Sequence, residues 1–249
     1  MRRADAGARR LRRAPLRRTA AGRRAMTPEV RVERIGQEGE PIVIVDGFAP
    51  DPDRLIAEGC AAPLQADGGN YPGVRAPVDP RYCEEVGALV AAAARRVFGH
   101  AERLTFDRVL FSLTTTPPAA LRLAQRLPHI DAVEPGRLAL VHYLGRRAWG
   151  GTRFFRHRTT GFETIGPDRH AAYLAALADD LAREGEPPPG YIAGETGLFV
   201  PIAHVTARPN RAVLYRSHLL HCAAIDHGRV LPADPATGRL TIAAFLSAA

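Results

Sequence analysis

From Leu104 onward, short runs rich in Val, Leu, Phe, Tyr and Thr alternate with turn residues, and this pattern constrains the fold more than any other feature. Such side chains suit the half-buried pleated surface of a sheet. Strands are expected at Leu104–Thr114, Leu138–Leu144, Thr152–His157, Gly197–Ala203, Arg211–Arg216 and Arg239–Leu246. Ahead of them, the apolar run Pro41–Phe48 reads as one further buried strand. Asp51-Pro52-Asp53 opens a short helix, with acids where the helix dipole favours them. A second helix starts at Asp79-Pro80 and ends at Gly99, with Val86, Leu89, Val90, Ala93 and Val97 on one stripe. Helical spacing returns at His170–Arg183, which reads as an insertion between core strands. Helices at the front of a run of strands predict an α+β, mainly β domain. Its core would be a double-stranded β-helix (jelly roll) braced by the N-terminal helices. The expected organisation is one domain over 27–249 with a helical insertion at about 166–190, preceded by a disordered Arg-rich extension at 1–26.

Charge supports this division. The chain has a formal net charge of +8, but ten of its 34 basic residues and one of its 26 acids fall within residues 1–25. The remainder holds 24 basic and 25 acidic residues and is nearly neutral. Nucleic acid is therefore expected only as a non-specific contact of the tail. The tail lacks the apolar run of a secretory signal and reads as an extension, or as translated sequence upstream of a start at Met26. No apolar stretch approaches the roughly 18 residues of a membrane helix, so no membrane partner is expected. Cys60, Cys83 and Cys222 form no CxxC pattern, which excludes a disulfide framework and a zinc knuckle. Reduced thiols in a cytoplasmic protein are the expectation.

The candidate chemistry lies in Pro128-His129-Ile130-Asp131, His221 and Gly238-Arg239-Leu240-Thr241. His129 and Asp131 share one side of an extended segment, because side chains alternate with period two. Two imidazoles and one carboxylate can occupy one face of an iron(II) ion and leave the opposite positions open for a co-substrate and oxygen. An arginine at the start of a strand can pair with the far carboxylate of a dicarboxylic co-substrate. The bland alternative makes His129 a surface residue and His221 one of several loop histidines. His218 and His227 compete with His221 as third ligand, and Arg229 competes with Arg239 as anchor.

The order of these motifs resembles the prolyl-4-hydroxylase-type branch of the Fe(II)/2-oxoglutarate-dependent oxygenases, in particular a bacterial subgroup. The resemblance rests on His129-Ile130-Asp131, the run from Leu138 to Tyr143-Leu144, and Trp149-Gly150-Gly151-Thr152. It continues in Asn210–Ser217, Leu220-His221 and Gly238–Phe245, and spans roughly residues 41–247. It implies an Fe(II)- and 2-oxoglutarate-dependent dioxygenase that hydroxylates a small-molecule or peptidyl substrate and releases succinate and CO2. His129, Asp131 and His221 would bind the metal and form the catalytic centre. Arg239 would bind the C5 carboxylate of 2-oxoglutarate, with hydrogen bonds from Tyr143 and Thr241. Two departures stand out: Arg239 lies eighteen positions after His221, longer than the family's spacing, and the helical insertion at 166–190 is additional. Arg153, Arg156, His157 and Arg158 are candidates to meet an anionic substrate, against the plainer reading of a charged strand edge. The rival function is a non-catalytic, cupin-like ligand- or metal-binding jelly roll.

Overall fold

The computed structural model describes residues 27–100, 103–147 and 149–248; the Arg-rich extension expected at 1–26 lies outside them. Among these residues, ten strands form two antiparallel sheets. The larger contains β1 (Glu29–Ile35), β2 (Glu40–Asp46), β3 (Gly73–Pro77), β4 (Leu104–Thr114), β5 (Arg137–Tyr143), β8 (Arg211–Arg216) and β10 (Arg239–Ala248). Its order is β1-β2-β8-β5-β10-β4-β3. The smaller contains β6 (Gly151–His157), β7 (Phe199–Thr206) and β9 (His221–Ala224), in the order β7-β6-β9. Together they make the double-stranded β-helix, or jelly roll. Among the described residues, no helix is long and apolar enough to cross a membrane.

Alternation along the strands assigns the two faces of the large sheet. On β10, Leu240, Ile242, Ala244 and Leu246 join the core that packs against α1 (Pro52–Ala61) and α2 (Arg81–Phe98). Arg239 and Thr241 are on the opposite face and line a cavity. Helix α2 presents Tyr82, Val86, Val90, Ala94 and Phe98 to the sheet, while Leu89, Ala93 and Val97 flank that stripe. Asp79 accepts the N–H of Arg81 at 2.9 Å, and Gly99 ends the helix at φ 76°, a conformation that a Cβ would strain. Helix α3 (Pro167–Glu184) lies between β6 and β7 in sequence and packs Tyr173, Leu177 and Leu181 in one cluster with Phe155, Ile165 and Phe199.

The Gly150-Gly151 turn shows why glycine is needed where β6 begins. Gly150 has φ 69°, and a Cβ there would collide with the Ala224 carbonyl; one on Gly151 would strike the Val205 carbonyl. The turn therefore lets both neighbouring strands close on β6.

Candidate metal and co-substrate site

A cavity of about 560 Å³ lies between the sheets, with His129, Asp131, Thr152, Tyr215, His221, Arg239 and Thr241 in its wall. His129 and His221 form an isolated antiparallel bridge, each N–H donating to the other's carbonyl at 2.9 Å. Two residues later, the Asp131 N–H donates to the Ser217 carbonyl at 2.8 Å. Backbone pairing thus brings together side chains that are distant in sequence. His221 stands opposite Phe154 at the head of β9, and its ring rests against Tyr215 with centroids 4.7 Å apart.

The donor atoms of His129, Asp131 and His221 all lie within 4.8 Å of one another, the one such group of three among the described residues. His129 Nε2 is 3.9 Å from Asp131 Oδ1, and His221 Nε2 is 3.4 Å from Asp131 Oδ2. His221 Nδ1 is 2.9 Å from the Leu219 carbonyl, which assigns the proton to Nδ1 and leaves the Nε2 lone pair toward Asp131. Burial pushes His129 down to about 4; the adjacent His221 adds to this and Asp131 opposes it. His129 is neutral at physiological pH, as a ligand must be. Half of its side chain is open, and the residue lines the cavity. Two imidazoles and one carboxylate fit a divalent iron-type ion.

Arg239 is buried at the start of β10, opposite Thr114. Its Nε and one terminal nitrogen donate to the carbonyls of Trp149 (3.2 Å) and Gly151 (2.9 Å), and the other terminal nitrogen lies 3.5 Å from Thr114 Oγ1. No carboxylate among the described residues pairs with it. A buried guanidinium without an anion is costly and fits a site for an anionic ligand. Arg229 is exposed instead, paired with Asp226 at 3.1 Å and stacked on Trp149. The long connection between β9 and β10 carries it outside the cavity.

Thr241 lies in the cavity wall with its hydroxyl donating to the Ser112 carbonyl at 3.2 Å. Tyr143 places its ring 6.0 Å from the Arg239 guanidinium, and its hydroxyl is 2.7 Å from Thr152 Oγ1. Tyr143 itself does not appear in the cavity wall; Tyr71 and Tyr191 do. The Tyr71 hydroxyl lies 2.9 Å from Thr114 Oγ1, and that of Tyr191 donates to the Thr116 carbonyl at 2.7 Å. Burial raises the pKa of both hydroxyls, and the Arg239 charge opposes this. Neither sits in a helix or strand, so no side-chain periodicity singles them out; the Gly- and Pro-flanked context of Tyr71 is the one cue in the chain.

The charged run after the Gly-Gly turn stays out of the cavity. Arg156 pairs with Glu163 at 3.4 Å, Arg158 pairs with Glu195, and His157 is buried 3.1 Å from Asp180. These residues secure α3 and its flanking loops. Trp149 anchors the turn, its indole N–H donating to the Thr237 carbonyl at 2.9 Å. All three cysteines are free, and burial pushes the Cys222 thiol up to about 12, so it stays protonated.

A family model described as "Family of unknown function (DUF6445)" matches residues 26–246. No curated protein matches the chain. Among solved structures, the non-heme alpha ketoglutarate dependent epimerase SnoN from nogalamycin biosynthesis is similar at 16% identity and a TM-score of 0.49, over 84% of this chain and 77% of that one. A Pseudomonas putida prolyl-4-hydroxylase is similar at 16% identity and 0.47, over 85% and 95% of the two chains. HygX from Streptomyces hygroscopicus, with nickel and 2-oxoglutarate bound, is similar at 13% identity and 0.44, over 85% and 84%.

Proposed function

The chain belongs to the family of unknown function DUF6445, and from its cavity we propose that it is an Fe(II)- and 2-oxoglutarate-dependent dioxygenase. The observation that carries this reading is one cavity holding both the His129–Asp131–His221 group and a buried arginine without a carboxylate partner. Either alone has ordinary structural explanations. Their combination matches a metal plus a dicarboxylic co-substrate.

With iron(II) bound, dioxygen oxidises 2-oxoglutarate to succinate and CO2, placing one oxygen atom in succinate and the other in the hydroxylated substrate. The protein's part is to hold and to exclude. His129, Asp131 and His221 would hold the ion, with His221 oriented by the Leu219 carbonyl. Arg239 would take the C5 carboxylate of 2-oxoglutarate as a fork, its other donors already fixed by the carbonyls of Trp149 and Gly151. Thr241 adjoins that fork in the same wall, and the ring of Tyr143 lies beside it. Arg239 is buried, so its charge is screened less than it would be in water.

Equilibrium binding of iron(II) and 2-oxoglutarate under anaerobic conditions tests the assignment. Asp131→Ala removes the anionic ligand and is expected to lose metal binding by a factor of a hundred or more, roughly the scale of a removed charge-assisted contact. Arg239→Ala is expected to keep the metal and lose 2-oxoglutarate. If Arg229→Ala abolishes 2-oxoglutarate binding while Arg239→Ala leaves it intact, the anchor is misassigned.

A further inference from the structure

Arg239 accounts for one anion, but the cavity wall carries a second cationic centre. Arg75 lies on β3, in the row that crosses β3, β4 and β10 through Ser112 and Thr241. Its guanidinium stacks 4.1 Å from the centre of the Tyr71 ring, and one terminal nitrogen donates to Asp67 Oδ2 at 3.1 Å. The same oxygen accepts from Arg108 at 3.4 Å. One carboxylate therefore faces two guanidiniums, and the group keeps a net positive charge. The Nε of Arg75, shielded from solvent, has no hydrogen-bond partner among the described residues. A charged donor left unpaired out of water is costly.

The other charges in the wall are neutralised. Arg137 pairs with Asp107 at 2.8 Å and Arg126 with Glu186 at 3.3 Å, while Asp131 belongs to the metal group. The Arg75–Arg108 pair is what remains. A cavity of about 560 Å³ is the size of a small-molecule site, and Ile130, Ile192 and Tyr215 supply apolar wall.

We propose that Arg75, backed by Arg108, binds a carboxylate of the primary substrate, which makes the substrate a small carboxylic acid. A planar fork suits a carboxylate in a way that a lysine would not. This inference rests on the oxygenase reading for the identity of the other ligand, but its test is separable.

The test is thermal-shift titration of the full chain with matched probes, phenylacetate against phenylacetamide and benzoate against benzamide. It is run with and without saturating Ni(II) and 2-oxoglutarate. The expected result is stabilisation by the acids and not by the amides, weakened ten- to a hundredfold in Arg75→Gln and partly recovered in Arg75→Lys. Stabilisation by 2-oxoglutarate should survive Arg75→Gln, which also shows that the variant folds, and should disappear in Arg239→Gln. Acids that bind no better than amides, or whose binding tracks Arg239 and ignores Arg75, would overturn the inference. A missing 2-oxoglutarate shift would count against the oxygenase reading, with the acid-versus-amide contrast at Arg75 still scored on the protein alone.

Discussion

At the scale of single residues, backbone pairing decides which histidine meets Asp131. His218, His221 and His227 lie within ten positions, yet only His221 bridges His129 and turns its Nε2 toward Asp131. His227 is exposed, with Nδ1 3.4 Å from the Tyr191 carbonyl, and His218 does not line the cavity. A second buried imidazole, His142, shows the structural use of the same side chain. Asn210 Oδ1 accepts from the Ala49 N–H at 2.9 Å and lies 3.0 Å from His142 Nε2, so that nitrogen carries the ring proton. Asn210 Nδ2 returns a bond to the Ala49 carbonyl, and the residue sits at φ 56°, a conformation asparagine tolerates better than alanine. Asn210→Ala should therefore cost about 3 kcal/mol, combining the orphaned donor with backbone strain. Asn210→Gly removes the strain alone and should be milder by about 1 kcal/mol. Urea unfolding measures both; equal losses would mean that the left-handed turn contributes nothing.

At the scale of elements, legibility in the sequence followed side-chain periodicity. The strands β4 and β8 begin and end where their Val-, Leu- and Phe-rich runs do. Helix α2 was marked at both ends by Asp79 and Gly99, though its buried stripe includes Tyr82, Ala94 and Phe98 beyond the apolar positions expected. Three strands had no such signal. In β1, EVRVERI, charges alternate with exposed valines because the strand lies at the sheet edge and buries only Ile35. The five residues of β3 include Gly73 and Pro77, which read as turn, and β9 has only four residues. The site divides along the same line. His129, Asp131, His221 and Arg239 were legible because their chemistry is specific, whereas Tyr71, Arg75 and Tyr191 come from short or irregular segments whose place depends on tertiary pairing. Arg75, for instance, reaches the cavity because β3 adds to the edge of β4.

At the scale of the whole molecule, two sheets with unequal roles produce both a core and a cavity. The large sheet carries the core under α1 and α2 on one face and cavity residues on the other. Burial of neutral imidazoles in this framework makes stability fall in acid. His142 is held at about 4 by burial, with its bond to Asn210 opposing, against an ordinary value of 6.5. The unfolded chain takes up this proton near pH 6.5 and the folded one does not until about pH 4. The contribution is complete above 6.5 and is lost as pH falls between those values, to a total of about 3 kcal/mol. His157 is lowered in the same direction, mainly by burial, and reinforces the trend. Unfolding free energy should drop by roughly 2 kcal/mol or more between about pH 7 and pH 5, and by less in His142→Gln; a flat profile would contradict the burial argument. The central claim concerns the cavity, and anaerobic addition of iron(II) and 2-oxoglutarate to the full chain tests it most directly, read by the weak visible charge-transfer band of the chelated metal. A band that needs both additions and disappears in His129→Ala is the predicted result. A folded protein that gives no band with both present, or gives the same band in His129→Ala, would contradict the assignment.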